Sequence, residues 1–177
     1  MDDREFLTAA LTRVIASLSQ RGFDFALAGG LAYSALVEPR ATVDMDLLVL
    51  AGEDDLPALQ EVLGHCFDSV LPHKEVMAFE RARIWRALGI TGNREFLVDF
   101  LLADTAYHRA ALARKQIVDF QGTALPIVTI EDLVLLKALA SRPQDAVDIT
   151  NIQTAYSGEL DMDYIREWAE RLGILGL

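Results

Sequence analysis

Two apolar runs of this 177-residue chain each carry aspartate where a buried strand would hold only hydrocarbon. The first spans residues 43–50, with Asp44 and Asp46 leading into Leu47, Leu48, Val49 and Leu50. The second spans residues 96–102, with Asp99 between Val98 and Phe100. Both are the right length for interior strands. A buried charge is costly unless it meets a partner or a cation. Such acids either face solvent, meet an arginine, or gather around a common cation. Asp44 and Asp46 stand two residues apart, which in a strand points both to one face. Two carboxylates on one face can hold one hard cation, and Asp99 from a neighbouring strand would complete a cluster for two. The alternative for Asp99 is an ion pair with Arg81, Arg83 or Arg86 from an adjacent strand.

A third feature precedes the first acid pair. Residues 23–27 read as a short strand, Gly29 and Gly30 break it, and residues 31–36 read as a helix. Two glycines at a strand-to-helix turn let the backbone approach a ligand closely. The helix N-terminus then offers unpaired N–H groups to an anion such as phosphate. The plain reading of the same glycines is a tight turn.

The rest of the chain alternates in type. An amphipathic helix runs from the N-terminus to near Gly22. Acidic residues 53–55 open another helix, with Leu56, Leu59, Val62 and Leu63 as its apolar stripe. Pro72 and His73 read as loop, and residues 79–90 as a strand that can pair with 96–102. Residues 105–114 read as a helix, and 117–120 with 124–128 as a small hairpin. Thr129 and Asp132 have capping-box spacing before an apolar helix over 130–140. Pro143 suits the first turn of a further helix, and a last helix covers about 161–172. The fold class expected is mixed α/β (α+β): a mixed sheet of about five strands flanked by helices, with a helical C-terminal portion. Residues 1–128 would form the core and 129–177 a helical subdomain packed on it.

Composition narrows the function. There are 16 lysines and arginines against 27 aspartates and glutamates, a net charge of −11. That disfavours non-specific nucleic-acid binding, although Arg81, Arg83, Arg86 and Arg94 could form a local basic strip. The single cysteine, Cys66, excludes an internal disulfide and a Cys-rich zinc site, and reads as a buried thiol. His65, His73 and His108 are scattered and read as surface or packing residues. Trp85 and Trp168 read as core or interface. The acidic N-terminus is no signal peptide and no apolar run is long enough to span a bilayer, so a soluble, cytoplasmic protein with no membrane partner is expected.

Taken in order, Gly29-Gly30, a helix, Asp44-Met45-Asp46-Leu47 and a third strand acid, Asp99, resemble the nucleotidyltransferase superfold shared with DNA polymerase β. Residues 38–46, with Arg40, Thr42, Asp44 and Asp46, look like the R-x-T-x-D-x-D variant found in AbiEii-type proteins of bacterial type IV toxin–antitoxin systems. Lys137, Arg142, Asp145 and Asp148 resemble the helical motif of that family. The resemblance covers roughly residues 20–150. It implies a transferase that moves a nucleoside monophosphate from a nucleoside triphosphate to a hydroxyl on a small molecule, a protein or an RNA end.

It implies Mg²⁺ or Mn²⁺ held by Asp44, Asp46 and Asp99, which would also be the catalytic acids. Gly29, Gly30, Arg40 and Lys137 would meet the nucleotide, with Asp145 orienting Lys137 or the nucleotide. It implies an antitoxin-like protein partner too. One position departs from the pattern: Gln144 stands where the family usually has lysine. That favours the alternative, a non-catalytic binding or regulatory module on the same fold. A dinucleotide-binding reading of Gly29-Gly30 lacks the G-x-G-x-x-G run and leaves the acid pair without a role. The helix-flank reading of Lys137, an aliphatic stem covering apolar surface, stands beside its nucleotide role.

Overall fold

The computed structural model describes every residue except Met1, Asp2, Arg40, Glu80 and Gln121, and only the backbone of Asp3 and Arg4. The chain starts with helix α1 (Asp3–Gln20), which buries Leu7, Leu11, Val14 and Leu18 at helical spacing. Strand β1 (Phe25–Leu27) follows and is wholly buried. Helix α2 (Gly29–Leu36) begins directly at the glycine pair, and strand β2 (Met45–Val49) comes next. A 3-10 turn at Glu53–Asp55 leads into helix α3 (Leu56–Gly64). Its buried residues are Leu59, Val62 and Leu63, three of the four expected.

Then come β3 (Ser69–Pro72), β4 (Met77–Phe79), β5 (Ala82–Thr91) and β6 (Arg94–Leu102). Helix α4 (Ala106–Arg114) is capped by the Thr105 hydroxyl, which accepts from the His108 N–H. A hairpin of β7 (Gln116–Phe120) and β8 (Thr123–Ile127) precedes three helices: α5 (Ile130–Ala140), α6 (Pro143–Ala155) and α7 (Met162–Leu172).

The strands form one mixed sheet in the order β3-β5-β6-β2-β1-β8-β7, with β4 added to β5. The β2–β6 and β1–β8 pairs are parallel and the others antiparallel. The parallel β2–β6 pair sets Asp46 opposite Asp99. The antiparallel β5–β6 pair sets Arg86 opposite Asp99 in turn. One row across three strands therefore reads Arg86, Asp99, Asp46, and all three side chains share a sheet face.

Several expectations need correction. Eight strands form among the described residues, not about five. The stretch expected as one strand over 79–90 is two, because β4 ends at Phe79 and β5 starts at Ala82. Pro72, expected in a loop, closes β3, and an edge strand tolerates a residue with no N–H. The strand expected over 43–50 starts only at Met45, so Asp44 precedes the sheet. The Thr129–Asp132 box is present: the hydroxyl accepts from the Asp132 N–H and donates to its carboxylate at 2.7 Å. Trp85 is core, stacked 5.8 Å from Phe100. Among the described residues no helix is long and apolar enough to cross a membrane.

A candidate nucleotide site at the acid row

Asp46 is the centre of the site. Gly29 sits beside it with φ +60, in the left-handed region where glycine is favoured. A Cβ at Gly29 would fall 1.9 Å from Asp46 Oδ2, so the close approach excludes any side chain there. The Gly30 N–H, in the first turn of α2, points at the same oxygen from 3.4 Å. The positive end of that helix favours the carboxylate. Burial and the neighbouring Asp99 nonetheless push the Asp46 carboxyl above its usual range, only partly offset by the Gly30 N–H and Arg142. Two acids side by side in a half-buried place are short of positive charge.

Asp99 has found some of it. Arg86 donates from Nε to Oδ1 and from Nη2 to Oδ2, each at 2.7 Å. This is the ion pair that the strand placement allowed, and it is bidentate. The Asp99 side chain is 12% exposed and that of Arg86 43%, so the arginine is open to solvent on its outer side. Asp44 lies exposed on the approach to β2, close enough for its charge to raise Asp46 further. Among the described residues no three metal-ligating side chains stand together as a preformed cage. The donor set nevertheless suits one hard cation: Asp46 is under-compensated, and Asp99 has an arginine that can yield an oxygen.

The helical motif forms a second charged cluster behind the first. Lys137 is 3% exposed, which corrects the helix-flank reading. Its ammonium donates to Asp148 at 2.6 Å and to Asp145 at 3.4 Å, and lies 5.6 Å from the Tyr33 ring centre. Asp145, 1% exposed, also accepts from Arg142 Nε at 2.7 Å, Nη2 at 3.2 Å and the Arg142 N–H at 3.1 Å. Gln144, the position that departs from the family pattern, donates to Asp148 at 2.9 Å. Lys137 thus joins α5 and α6 and braces α2 through Tyr33. Arg142 is the cation left facing outwards, with its side chain 68% exposed and near enough to Asp46 to lower its carboxyl.

Both clusters open into one cavity of about 1220 Å³. Gly29, Asp46, Arg86, Asp99, Lys137 and Arg142 all line it. The structure therefore brings together Gly29, Gly30, Asp46, Asp99, Lys137 and Asp145, and leaves Asp44 at the edge. Arg40 lies outside the described residues. Sequence reasoning did not place Arg86 or Arg142 in the site. Arg86 was named as a structural partner of Asp99 and as part of a basic strip, and the signal for it was its spacing across a hairpin from Asp99. The basic strip does not form as a free surface. Arg83 pairs with Glu53 and, at 3.6 Å, Asp104, Arg86 pairs with Asp99, and Arg94 lies 3.7 Å over the Phe6 ring.

Comparison with solved structures agrees with this architecture. The antibiotic-resistance factor ANT(2'')-Ia, in its solution structure, is 17% identical with a TM-score of 0.61, covering 98% of this chain and 96% of its own. The lincosamide antibiotic adenylyltransferase LnuA, bound to lincomycin, is 13% identical with a TM-score of 0.55, covering 82% and 96%. A nucleotidyltransferase from Thermotoga maritima is 12% identical with a TM-score of 0.54, covering 97% and 96%. No curated protein matches the chain. The family model described as "Nucleotidyl transferase AbiEii toxin, Type IV TA system" matches residues 9–172. The chain belongs to the AbiEii nucleotidyltransferase family.

Proposed function

We propose that the chain is a divalent-metal-dependent nucleotidyltransferase that moves a nucleoside monophosphate from a nucleoside triphosphate to a hydroxyl. The observation that carries this reading is the Asp46–Asp99 pair, in register across β2 and β6 and beside a glycine turn with no room for a side chain. Asp46 and Asp99, with Asp44 at the edge, would hold Mg²⁺ or Mn²⁺. When bound, that cation supplies Lewis-acid charge at the phosphoryl oxygens. Gly29 and Gly30 let the phosphates approach the backbone. Arg142, aimed by three hydrogen bonds to Asp145, neutralises phosphate charge, and Lys137 fixes Asp145 from behind.

In the reaction the acceptor oxygen attacks the α-phosphorus, a new O–P bond forms, and the bond to the β,γ-pyrophosphate breaks. Pyrophosphate leaves, and the hydroxyl proton passes to the Asp46–Asp99 pair. Burial and the neighbouring Asp99 hold the Asp46 carboxyl above its usual range in the metal-free chain. Alignment and electrostatics supply the acceleration, with no side-chain nucleophile. Three of the four strip arginines are engaged within the molecule, which favours a small-molecule acceptor over RNA. The type IV toxin–antitoxin family supports an antitoxin partner, and the proposed setting is a bacterial cytoplasm.

The test is thermal unfolding with Mg²⁺ and each nucleoside triphosphate. At a hundredfold excess over Kd, binding adds about 2.7 kcal/mol, or a rise in Tm of about 5–10 °C for a chain of this size. Asp44→Asn with Asp46→Asn should remove the rise. No shift with any triphosphate would overturn the proposal.

A second reading, a non-catalytic module, is favoured by the bidentate hold of Arg86 on Asp99 and by Gln144. Transfer of label from an α-labelled triphosphate to an acceptor excludes it.

A further inference from the structure

Strand β7 ends the sheet and is paired on one side only, with β8. The Val128 N–H, directly after β8, donates to the Leu27 carbonyl of β1, so the even-numbered residues of β8 turn their peptide groups toward β1 and the odd-numbered ones toward β7. Leu125 and Ile127 stand opposite Val118 and Gln116. The peptide groups of Ile117 and Asp119 therefore point away from the sheet, and among the described residues neither has a backbone partner outside it. An open edge of this kind is a template for another strand. The opposite edge is blunted by Pro72 at the end of β3, whereas β7 contains neither proline nor lysine.

Ile117 stands at the middle of the stretch 115–119 and is 65% exposed. It forms the rim of a groove of about 370 Å³ that Ile15, Phe23, Phe25 and Pro126 also line. Lys115 lies two residues before it, with extended backbone, and Asp119 two residues after. Alternation puts these three side chains on one sheet face.

We propose that this edge is a dimer interface, and that its occupant is β7 of a second copy, paired antiparallel about a two-fold axis through Ile117. In that register Ile117 meets Ile117, Lys115 meets Asp119, and Asp119 meets Lys115. The two Ile117 peptide groups exchange both hydrogen bonds, and each Asp119 N–H donates to the Lys115 carbonyl of the other copy. A two-fold interface must be complementary to itself, and opposite charges directly across a strand pair favour it. The register that sets Ile117 opposite Asp119 puts hydrocarbon against carboxylate and leaves Lys115 without an acid across the pair. Both charged groups keep their present partners. The Lys115 ammonium has donors to spare beyond Asp24, and Asp119 has a second oxygen beyond the one that accepts from the Gly122 N–H at 2.7 Å.

The patch is small and each chain carries a net charge of −11, so the dimer is a weak one. In the sheet order β2-β1-β8-β7 the edge stands apart from the acid row, and no residue of β7 lines the large cavity. Pairing leaves both cavities open and does not depend on the transferase reading.

The test is sedimentation of the full chain from about 1 μM to about 1 mM, in about 0.15 M salt, where charges are screened beyond about 8 Å. The mass should rise from monomer toward dimer. Amide exchange followed by NMR over the same series should slow at Ile117 and Asp119, and stay unchanged at Gln116, Val118 and Phe120, which β8 already holds. Ile117→Lys, which sets two lysines across the axis, should weaken association at least about tenfold. Asp119→Lys and Lys115→Glu should each weaken it as well. Their equimolar mixture should associate again, because each supplies the charge the other lacks. Damage to the fold of either variant cannot produce that recovery, and if Asp119→Lys fails to fold, the exchange pattern of the wild type decides. A wild type that stays monomeric throughout overturns the proposal, whatever other chain pairs with β7. A dimer that Ile117→Lys leaves intact, or a mixture of folded variants that associates no better than each alone, overturns it too.

Discussion

Arg86 clasps Asp99 through two hydrogen bonds of 2.7 Å, directly across the β5–β6 pair and one strand away from Asp46. The arginine stands where a site of this kind gathers negative charge. It compensates the acid row in the metal-free chain.

Arg86→Met should therefore have two opposed effects. It removes a charge-assisted pair and leaves two acids facing each other. With Arg86 nearly half exposed, solvent screening keeps the stability loss to about 1 kcal/mol, read as a lower urea midpoint. It also frees both oxygens of Asp99, so Mn²⁺ should bind more tightly, as titrated by electron paramagnetic resonance. Unchanged Mn²⁺ affinity would mean that Arg86 does not compete for Asp99.

Gly29→Ala combines two penalties. The backbone is left-handed, which costs a non-glycine residue about 1–2 kcal/mol, and the new methyl falls on the Asp46 carboxylate. Asp46 must turn away. The variant should lose stability and also the thermal response to Mg²⁺ with triphosphate. Ala at Gly122, also at positive φ but with open space around its Cβ position, should lose stability alone.

Lys137→Met leaves Asp145 and Asp148 buried without their ammonium. Removing one member of a buried ion cluster costs about 3–5 kcal/mol, whereas a lysine lying on a helix surface costs a few tenths. Chemical denaturation distinguishes the two. Adding Asp148→Asn should recover part of the loss.

Asp46→Asn should stabilise the protein at neutral pH. The folded-state pKa lies above the ordinary 3.8, so the carboxylate is penalised in the fold once it is ionised. That cost is full above the folded pKa and vanishes below 3.8, where folded and unfolded chains are both protonated. The advantage of the variant should shrink as pH falls toward 4. Stability curves at pH 7.5 and 4 measure it, and a variant less stable than wild type at pH 7.5 would contradict the assignment.

His108 gives the opposite slope. Its folded pKa lies below the ordinary 6.5, so the unfolded chain binds the proton first. Stability from keeping the ring neutral is complete above 6.5 and is lost as pH falls from there through the folded value. Wild type should lose more stability than His108→Phe between pH 7.5 and 5.5. Parallel losses in the two proteins would remove His108 as the source.

The sequence by itself determined the helices and the central strands, though not β3 or β4, and marked the charged residues those strands and helices carry. Continuous apolar runs marked β2 and β6, and a capping box and a first-turn proline marked α5 and α6, because run length and cap residues are local properties of the chain. Gly29-Gly30, Asp46 and Asp99 were legible as a set, since an acid inside an apolar run has few structural excuses. Only the tertiary structure decided how charge is shared among them. Strand register put Arg86 on Asp99, and helix packing buried Lys137 between Asp145 and Asp148 and turned Arg142 outwards. The same packing left His108 dry and unpaired beside the cavity. The physical reason is that a side chain's charge partner is fixed by pairing register and by the crossing of helices. Both bring together residues distant in the chain, and neither leaves a mark in local composition.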